Sequence, residues 1–168
     1  MVQSRVLIGL IYVAGLSGCR ESNCQEGDCL NGGTCTWGGC QCPPGFGGTR
    51  CEIKWSDAWI GSYTVDERCR EVGLIPQFDA QIKASPLYPD VIYFEGFGDI
   101  ACEGQKIRVE ARLTNANEAT ITRQSSCNRR YIVEGRASLN NRMVVVEYSF
   151  QDFSTQLRDS CRAEWRKY

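Results

Sequence analysis

Lys106-Ile107-Arg108-Val109-Glu110-Ala111-Arg112-Leu113 decides the fold, because Ile107, Val109, Ala111 and Leu113 alternate strictly with Lys106, Arg108, Glu110 and Arg112. A period of two sends the apolar side chains to one face and the charged ones to the other, the pattern of a strand with one buried and one solvated side. The same pattern recurs on either side. Upstream, Phe78, Ala80, Ile82 and Ala84 alternate with Asp79, Gln81 and Lys83; downstream, Val144, Val146, Tyr148 and Phe150 mark one strand, and Cys161, Ala163 and Trp165 the last. Further strands are predicted over 58–66, 91–97, 118–123 and 130–138, with no amphipathic helix competing. Turn residues at Ser85-Pro86, Tyr88-Pro89-Asp90, Asn115-Ala116-Asn117 and Asn140-Asn141 separate the runs. About eight strands in series with short connections predict a mainly β fold over 54–168: an antiparallel meander closed into a small up-and-down barrel or flattened into a sandwich.

In strand order this region resembles a lipocalin-like barrel, a likeness of topology alone, with Trp59-Ile60-Gly61-Ser62-Tyr63 at the place of its first strand. Four cysteines lie in it, Cys69, Cys102, Cys127 and Cys161, and four allow three pairings. In a closed meander the first and last strands are neighbours. Cys69 is then expected to reach Cys161 across the seam, leaving Cys102 to pair with Cys127 between loops.

The preceding stretch has a different composition. Cys24, Cys29, Cys35, Cys40, Cys42 and Cys51 are separated by four, five, four, one and eight residues, with few hydrophobic residues between them. So short a piece buries too little apolar surface to offset its chain entropy and needs staples, which in an exported protein are disulfides. Six cysteines permit fifteen pairings. Cys29-Leu30-Asn31-Gly32-Gly33-Thr34-Cys35 and Cys40-Gln41-Cys42-Pro43-Pro44-Gly45-Phe46-Gly47-Gly48-Thr49-Arg50-Cys51-Glu52 resemble an EGF-like domain, over 24–52 from end to end. The resemblance implies bridges Cys24–Cys35, Cys29–Cys40 and Cys42–Cys51 and a small disulfide-rich hairpin unit. Calcium-binding members carry oxygen ligands where this chain has Glu21-Ser22-Asn23 and Thr36-Trp37-Gly38-Gly39; the second segment offers no oxygen-rich cage, so no calcium is expected. Phe46 and Trp37 are the candidate contact residues of this unit, Trp37 either meeting a partner or stacking on its own hairpin.

At the N-terminus, Arg5 precedes an apolar run from Val6 to Leu16, too short for the ~20 residues that span a bilayer. Leu16-Ser17-Gly18-Cys19 resembles the lipobox of bacterial lipoproteins. The resemblance implies a signal peptide over 1–18, acyl chains such as palmitate on Cys19, a lipidated tether over 19–23, and anchorage in a bacterial envelope, with the outer membrane favoured and its face left open. Parity agrees, since eleven cysteines leave one without an intramolecular partner and Cys19 is the natural odd member. The competing expectation is an ordinary secreted protein in which Cys19 pairs.

Composition narrows the chemistry. The 168 residues, 42% hydrophobic and 23% charged, describe a folded chain rather than a disordered tail. Nineteen basic residues against twenty acidic ones make no field for nucleic acid, and removal of 1–18 takes away only Arg5. With no histidine, imidazole catalysis and imidazole metal sites are excluded. The carboxylates Asp66, Glu67, Glu71, Asp90, Glu95, Asp99, Glu103 and Glu147 include one, Glu95, inside the apolar run Tyr93-Phe94-Glu95-Gly96-Phe97, where burial would raise its pKa; it is expected instead to point outward or to pair with an arginine. No nucleophile elbow, phosphate loop or zinc spacing appears, so neither enzyme activity nor a cofactor is expected. Fifteen arginines against four lysines, with local pairs Arg68 and Arg70, Arg129 and Arg130, Arg162 and Arg166, form either a solvated strand face or one that recognises an anionic envelope component.

The function expected is that of a lipid-anchored, non-catalytic binding module with a protein or glycan partner. The alternative is a carrier of a small apolar ligand in the barrel, and a carboxylate-dependent envelope enzyme is the residual. Side-chain size separates the first two: bulky aromatics would fill the meander, whereas Gly61, Gly96, Gly135 and the alanines would leave space.

Overall fold

The computed structural model describes residues 24, 25 and 27–168. The signal segment, Cys19 and the rest of the tether lie outside the described residues. The disulfide-rich unit contains β1 (Thr34–Thr36) and β2 (Gly39–Gln41), paired with Cys35 opposite Cys40. A second ladder joins β3 (Phe46–Gly47) to β4 (Ile53–Lys54), so the hairpin continues past Glu52 to Lys54. Three disulfides close it: Cys24–Cys35, Cys29–Cys40 and Cys42–Cys51.

A helical turn, α1 (Ser56–Trp59), leads into the larger domain. Its strands are β5 (Gly61–Cys69), β6 (Leu74–Ala84), β7 (Val91–Glu95), the short β8 (Ala101–Cys102) and β9 (Gln105–Lys106), then β10 (Arg108–Asn115), β11 (Glu118–Ser126), β12 (Tyr131–Asn140), β13 (Met143–Asp152) and β14 (Leu157–Lys167). All but β8 and β9 form one closed antiparallel barrel in which sequence neighbours are spatial neighbours and β14 returns to β5. The sandwich expectation therefore gives way to a closed barrel. Closure pairs every strand on both sides and leaves the sheet no free edge. At the seam Cys161 stands directly opposite Cys69 and is bonded to it; Cys102 is bonded to Cys127.

The period-two reading holds in three dimensions. Tyr63, Val65, Phe94, Val109, Ala111, Val133, Val146, Ala163 and Trp165 all point inward and are buried. The outer wall carries Arg136, Glu147 and Arg162 in one cross-strand row, Glu147 accepting from Arg136 at 2.7 Å and from Arg162 at 2.8 Å. Apolar inside and charged outside is the reverse of a lipid-spanning barrel, which presents an apolar band outward. Among the described residues no helix is long and apolar enough to cross a membrane.

Several boundaries differ from the sequence expectation: β5 runs on to Cys69, β11 to Ser126 and β12 to Asn140, and two further differences shape the ends of the barrel. The strand predicted over 58–66 begins only at Gly61, because Ser56–Trp59 coils into a turn closed by the Ile60 N–H on the Ser56 carbonyl. The turn drops Trp59 into the barrel floor, where its indole N–H donates to the Ala116 carbonyl at 2.9 Å and its own carbonyl accepts from the Tyr63 hydroxyl. The strand predicted over 91–97 stops at Glu95, since Gly96 turns left-handed (φ +83°) and Phe97 enters a 3₁₀ turn over Phe97–Asp99.

The disulfide unit rests against the floor end of the barrel. Gly45 (φ +90°) approaches the Pro89–Asp90 peptide so closely that a Cβ there would come within 2.6 Å of the Pro89 carbonyl carbon, and the Trp55 N–H donates to the Gly45 carbonyl at 2.9 Å.

Candidate functional site

The barrel interior is filled. Trp165 stands edge-on to Phe94 at 5.1 Å between ring centroids and to Tyr63 at 6.0 Å, and Phe97 packs on Tyr148 at 4.5 Å. All five rings are buried. Trp59 plugs the floor beneath them. Gly135, one of the positions that was to leave space, leaves none: a Cβ on it would lie 2.4 Å from the Glu147 carbonyl oxygen and 2.7 Å from the Tyr148 Cα. Backbone of β13 occupies the room its missing side chain vacates. Gly96 opens the lid turn and Gly61 faces the Lys167 side chain. A small apolar ligand would have to displace this ring cluster, and the carrier reading loses its physical footing.

One acid lies inside. Glu67 continues the inward phase of Tyr63 and Val65 on β5 and is 3% exposed. The Tyr148 hydroxyl donates to its Oε1 at 2.7 Å, and the Cys69 Sγ lies 3.8 Å from the same atom, while Oε2 is buried without a hydrogen-bond partner. Burial pushes the Glu67 carboxyl up from its ordinary range; the Tyr148 bond opposes that, and the charge of Asp99 adds to it. The segment from Gly96 to Ile107 closes this end as a lid, its Phe97 and Ile107 side chains buried below and Cys102 tied to Cys127. Glu95, the carboxylate that the sequence singled out, lies outside as expected, paired with Lys83 rather than with an arginine. The signal for Glu67 was present in the spacing Tyr63, Val65, Glu67, Cys69.

The other buried acids are structural. The Asp159 carboxylate accepts the N–H groups of Arg70, Glu71, Val72 and Ser160 at 2.7 to 3.0 Å, holding the β5–β6 turn. Arg130 forks onto Asp152 at 3.2 and 3.3 Å and holds that carboxyl far below the usual range. Asp90 is paired with Arg112. Two sulfur groupings have metal-like spacing, Cys24 with Cys29 and Cys40, and Glu67 with Cys69 and Cys161. Their cysteines are all disulfide-bonded and offer no thiolate.

On the outside, Trp37 is 73% exposed at the β1–β2 turn, which the Thr36 hydroxyl closes onto the Gly39 carbonyl at 2.8 Å; Phe46 is half-buried in β3. Beside the Gly45 contact, the Ser85–Asp90 loop lifts Leu87 and Tyr88 into solvent at 78% and 57% exposure. That loop is pinned by the Ser85 hydroxyl oxygen, which accepts the N–H groups of Leu87 and Tyr88, both at 3.2 Å.

No known protein family matches this chain, and no curated protein does. Among solved structures it is similar to a redesigned beta barrel (TM-score 0.46, 11% identity, covering 70% of this chain and 97% of that one). A second likeness is to EF1p2_mFAP2b bound to DFHBI (TM-score 0.47, 10% identity, 67% and 96% covered). A third is to a Bacteroides fragilis NCTC 9343 protein described as a "putative outer membrane protein" (TM-score 0.42, 12% identity, 67% of this chain), of which this chain spans about half, 52%. None of the three bears on function.

Proposed function

We propose that this chain is a lipid-anchored protein of the bacterial cell envelope, outer membrane favoured, that works by binding rather than by catalysis. In this reading Cys19 carries the lipid, residues 24–52 are an EGF-like module held close to the bilayer by a tether of five residues, and the barrel is a rigid support. One observation carries it: the inside of the barrel is packed with aromatic rings, while bulky apolar side chains, Trp37, Leu87 and Tyr88, stand outside on short, hydrogen-bonded turns. Such side chains cost little entropy to immobilise, and tryptophan and tyrosine are the usual anchors of an interface. Catalysis by Glu67 would require water and substrate to pass the lid and the Phe97 ring.

Mass spectrometry of the full protein extracted from its own envelope tests the anchor: a lipid increment on Cys19 together with five intact bridges is expected, and an unmodified Cys19 overturns it. In-cell photo-crosslinking tests the binding. A photoreactive residue at Trp37 is expected to give a discrete adduct that the same residue at Gln77, on the barrel wall, does not; no adduct from either Trp37 or Tyr88 removes the binding reading.

A further inference from the structure

Two like-charge pairs face each other across the barrel seam, and the fold treats them differently. On the outer side of the β14–β5 ladder Glu164 lies directly opposite Asp66, and one step further along Arg162 lies directly opposite Arg68. Like charges directly opposed across a strand pair are destabilising. The acidic pair is neutralised from within, since Arg166 donates both to Glu164 and to Asp66. The basic pair is not. Glu147 takes Arg162 from one side, but it is already shared with Arg136, and among the described residues the Arg68 side chain has neither an ion pair nor a hydrogen bond. Arg70, two residues on, adds a third guanidinium, 83% exposed, whose nearest acid is Glu71 at 3.8 Å. The Arg70 N–H donates to the Ser160 carbonyl, which sets Ser160 beside it on β14. Arg68, Arg70, Ser160 and Arg162, with Glu147, Cys69, Tyr148 and Cys161, then line a shallow depression of about 420 Å³.

We propose that Arg68, Arg70 and Arg162, with the Ser160 hydroxyl, form a binding site for a phosphate or sulfate oxyanion. The chemistry is that of the fork: a guanidinium presents parallel N–H donors, and an oxyanion placed between two opposed forks bonds both while removing their mutual repulsion. The anion would do for Arg68 and Arg162 what Arg166 does for Asp66 and Glu164. The inference rests on the geometry of the barrel wall and stands whether or not Cys19 carries a lipid.

The full chain is titrated with inorganic phosphate at constant ionic strength set with sodium chloride, and separately with phosphatidylglycerol vesicles, which carry the same oxyanion on a lipid headgroup. Arg68→Gln is the decisive variant. Without phosphate its melting temperature is expected to equal or exceed that of the parent, because a repulsion is gone. Its apparent dissociation constant for phosphate is expected to rise about tenfold, as the loss of a charge-assisted fork requires. A merely structural arginine would lower the melting temperature, so an unchanged phosphate affinity, or an affinity lost together with a lower melting temperature, overturns the site. Arg142→Gln, in the β12–β13 turn at the opposite end of the barrel, is the control, and an equal loss of affinity there reduces the effect to general screening and overturns it too. Vesicle binding that needs Arg68 when free phosphate does not bind assigns the oxyanion to a headgroup; binding in neither arm removes the proposal.

Discussion

Residues 24–54 and the barrel solve the same problem with different materials. In the first unit three disulfides bracket strands of two or three residues, and apart from Gly45 the buried residues there, among those described, are the cysteines Cys24 and Cys51. In the barrel, strands of five to eleven residues enclose a continuous apolar core, and two disulfides lie at its seam and beside its lid. Covalent bonds replace a core where the chain is too short to build one, and supplement it where the chain is long enough. The same bond type should therefore have different consequences in the two places.

The sharpest break of that comparison comes from the seam. Removing Cys69–Cys161 in a Cys69→Ala, Cys161→Ala double variant frees a loop spanning 92 positions and is expected to cost about 4 to 5 kcal/mol on chain-entropy grounds. A lowered denaturation midpoint with an unchanged near-ultraviolet spectrum in water is the predicted result, because the aromatic core persists. The Cys42→Ser, Cys51→Ser double variant opens a separation of only nine and is expected to cost about 2 to 3 kcal/mol, yet to unfold its unit. Limited proteolysis should then cut within 24–54 and spare 61–167; cutting in both would show that the barrel depends on the contact between Gly45 and Pro89.

A smaller effect concerns the one acid inside the core. Burial raises the folded-state pKa of Glu67, so the native protein binds its proton more tightly than the unfolded chain does. The stability this allows is complete below the ordinary glutamate range and declines as pH rises through the raised value. Glu67→Gln keeps an acceptor for the Tyr148 hydroxyl and should remove that decline: parent and variant melt together near pH 4 and separate toward neutrality, the variant being the more stable. Parallel pH profiles would show that Glu67 is not the group responsible. The smallest effect is expected at Trp37, whose replacement by alanine should shift the denaturation midpoint by less than about 0.5 kcal/mol, as for surface positions generally. A larger loss would show the ring to be part of its own hairpin.

Much of this was legible in the residues, and the rest was hidden for identifiable reasons. The alternation from Ile107 to Leu113 names the inward face of a strand because the pleat has a period of two whatever the context. The pairing across the seam follows from meander order once closure is assumed. Glu95 and Glu67 show what phase decides: Glu95 sits among aromatic neighbours and, as expected, faces outward, while Glu67, which the sequence reading did not single out, sits among charges, between Asp66 and Arg68, yet points inward. Neighbouring residues in a strand face opposite sides, so phase decides and local composition misleads. Trp59 was taken into a strand for the same reason; that a helical turn should deliver it to the barrel floor depends on Ala116, 57 positions away.

By itself the sequence determined which residues form strands, which side of each strand meets water and where the cysteine-dense unit gives way to a core, because these follow from side-chain period, turn chemistry and chain length. Tertiary structure alone decided that the meander closes rather than flattens, that aromatic rings fill it, and that Arg68 meets Arg162 while Glu164 meets Asp66. Those outcomes depend on the register between strands distant in the chain, and register is set by the joint packing of the whole barrel.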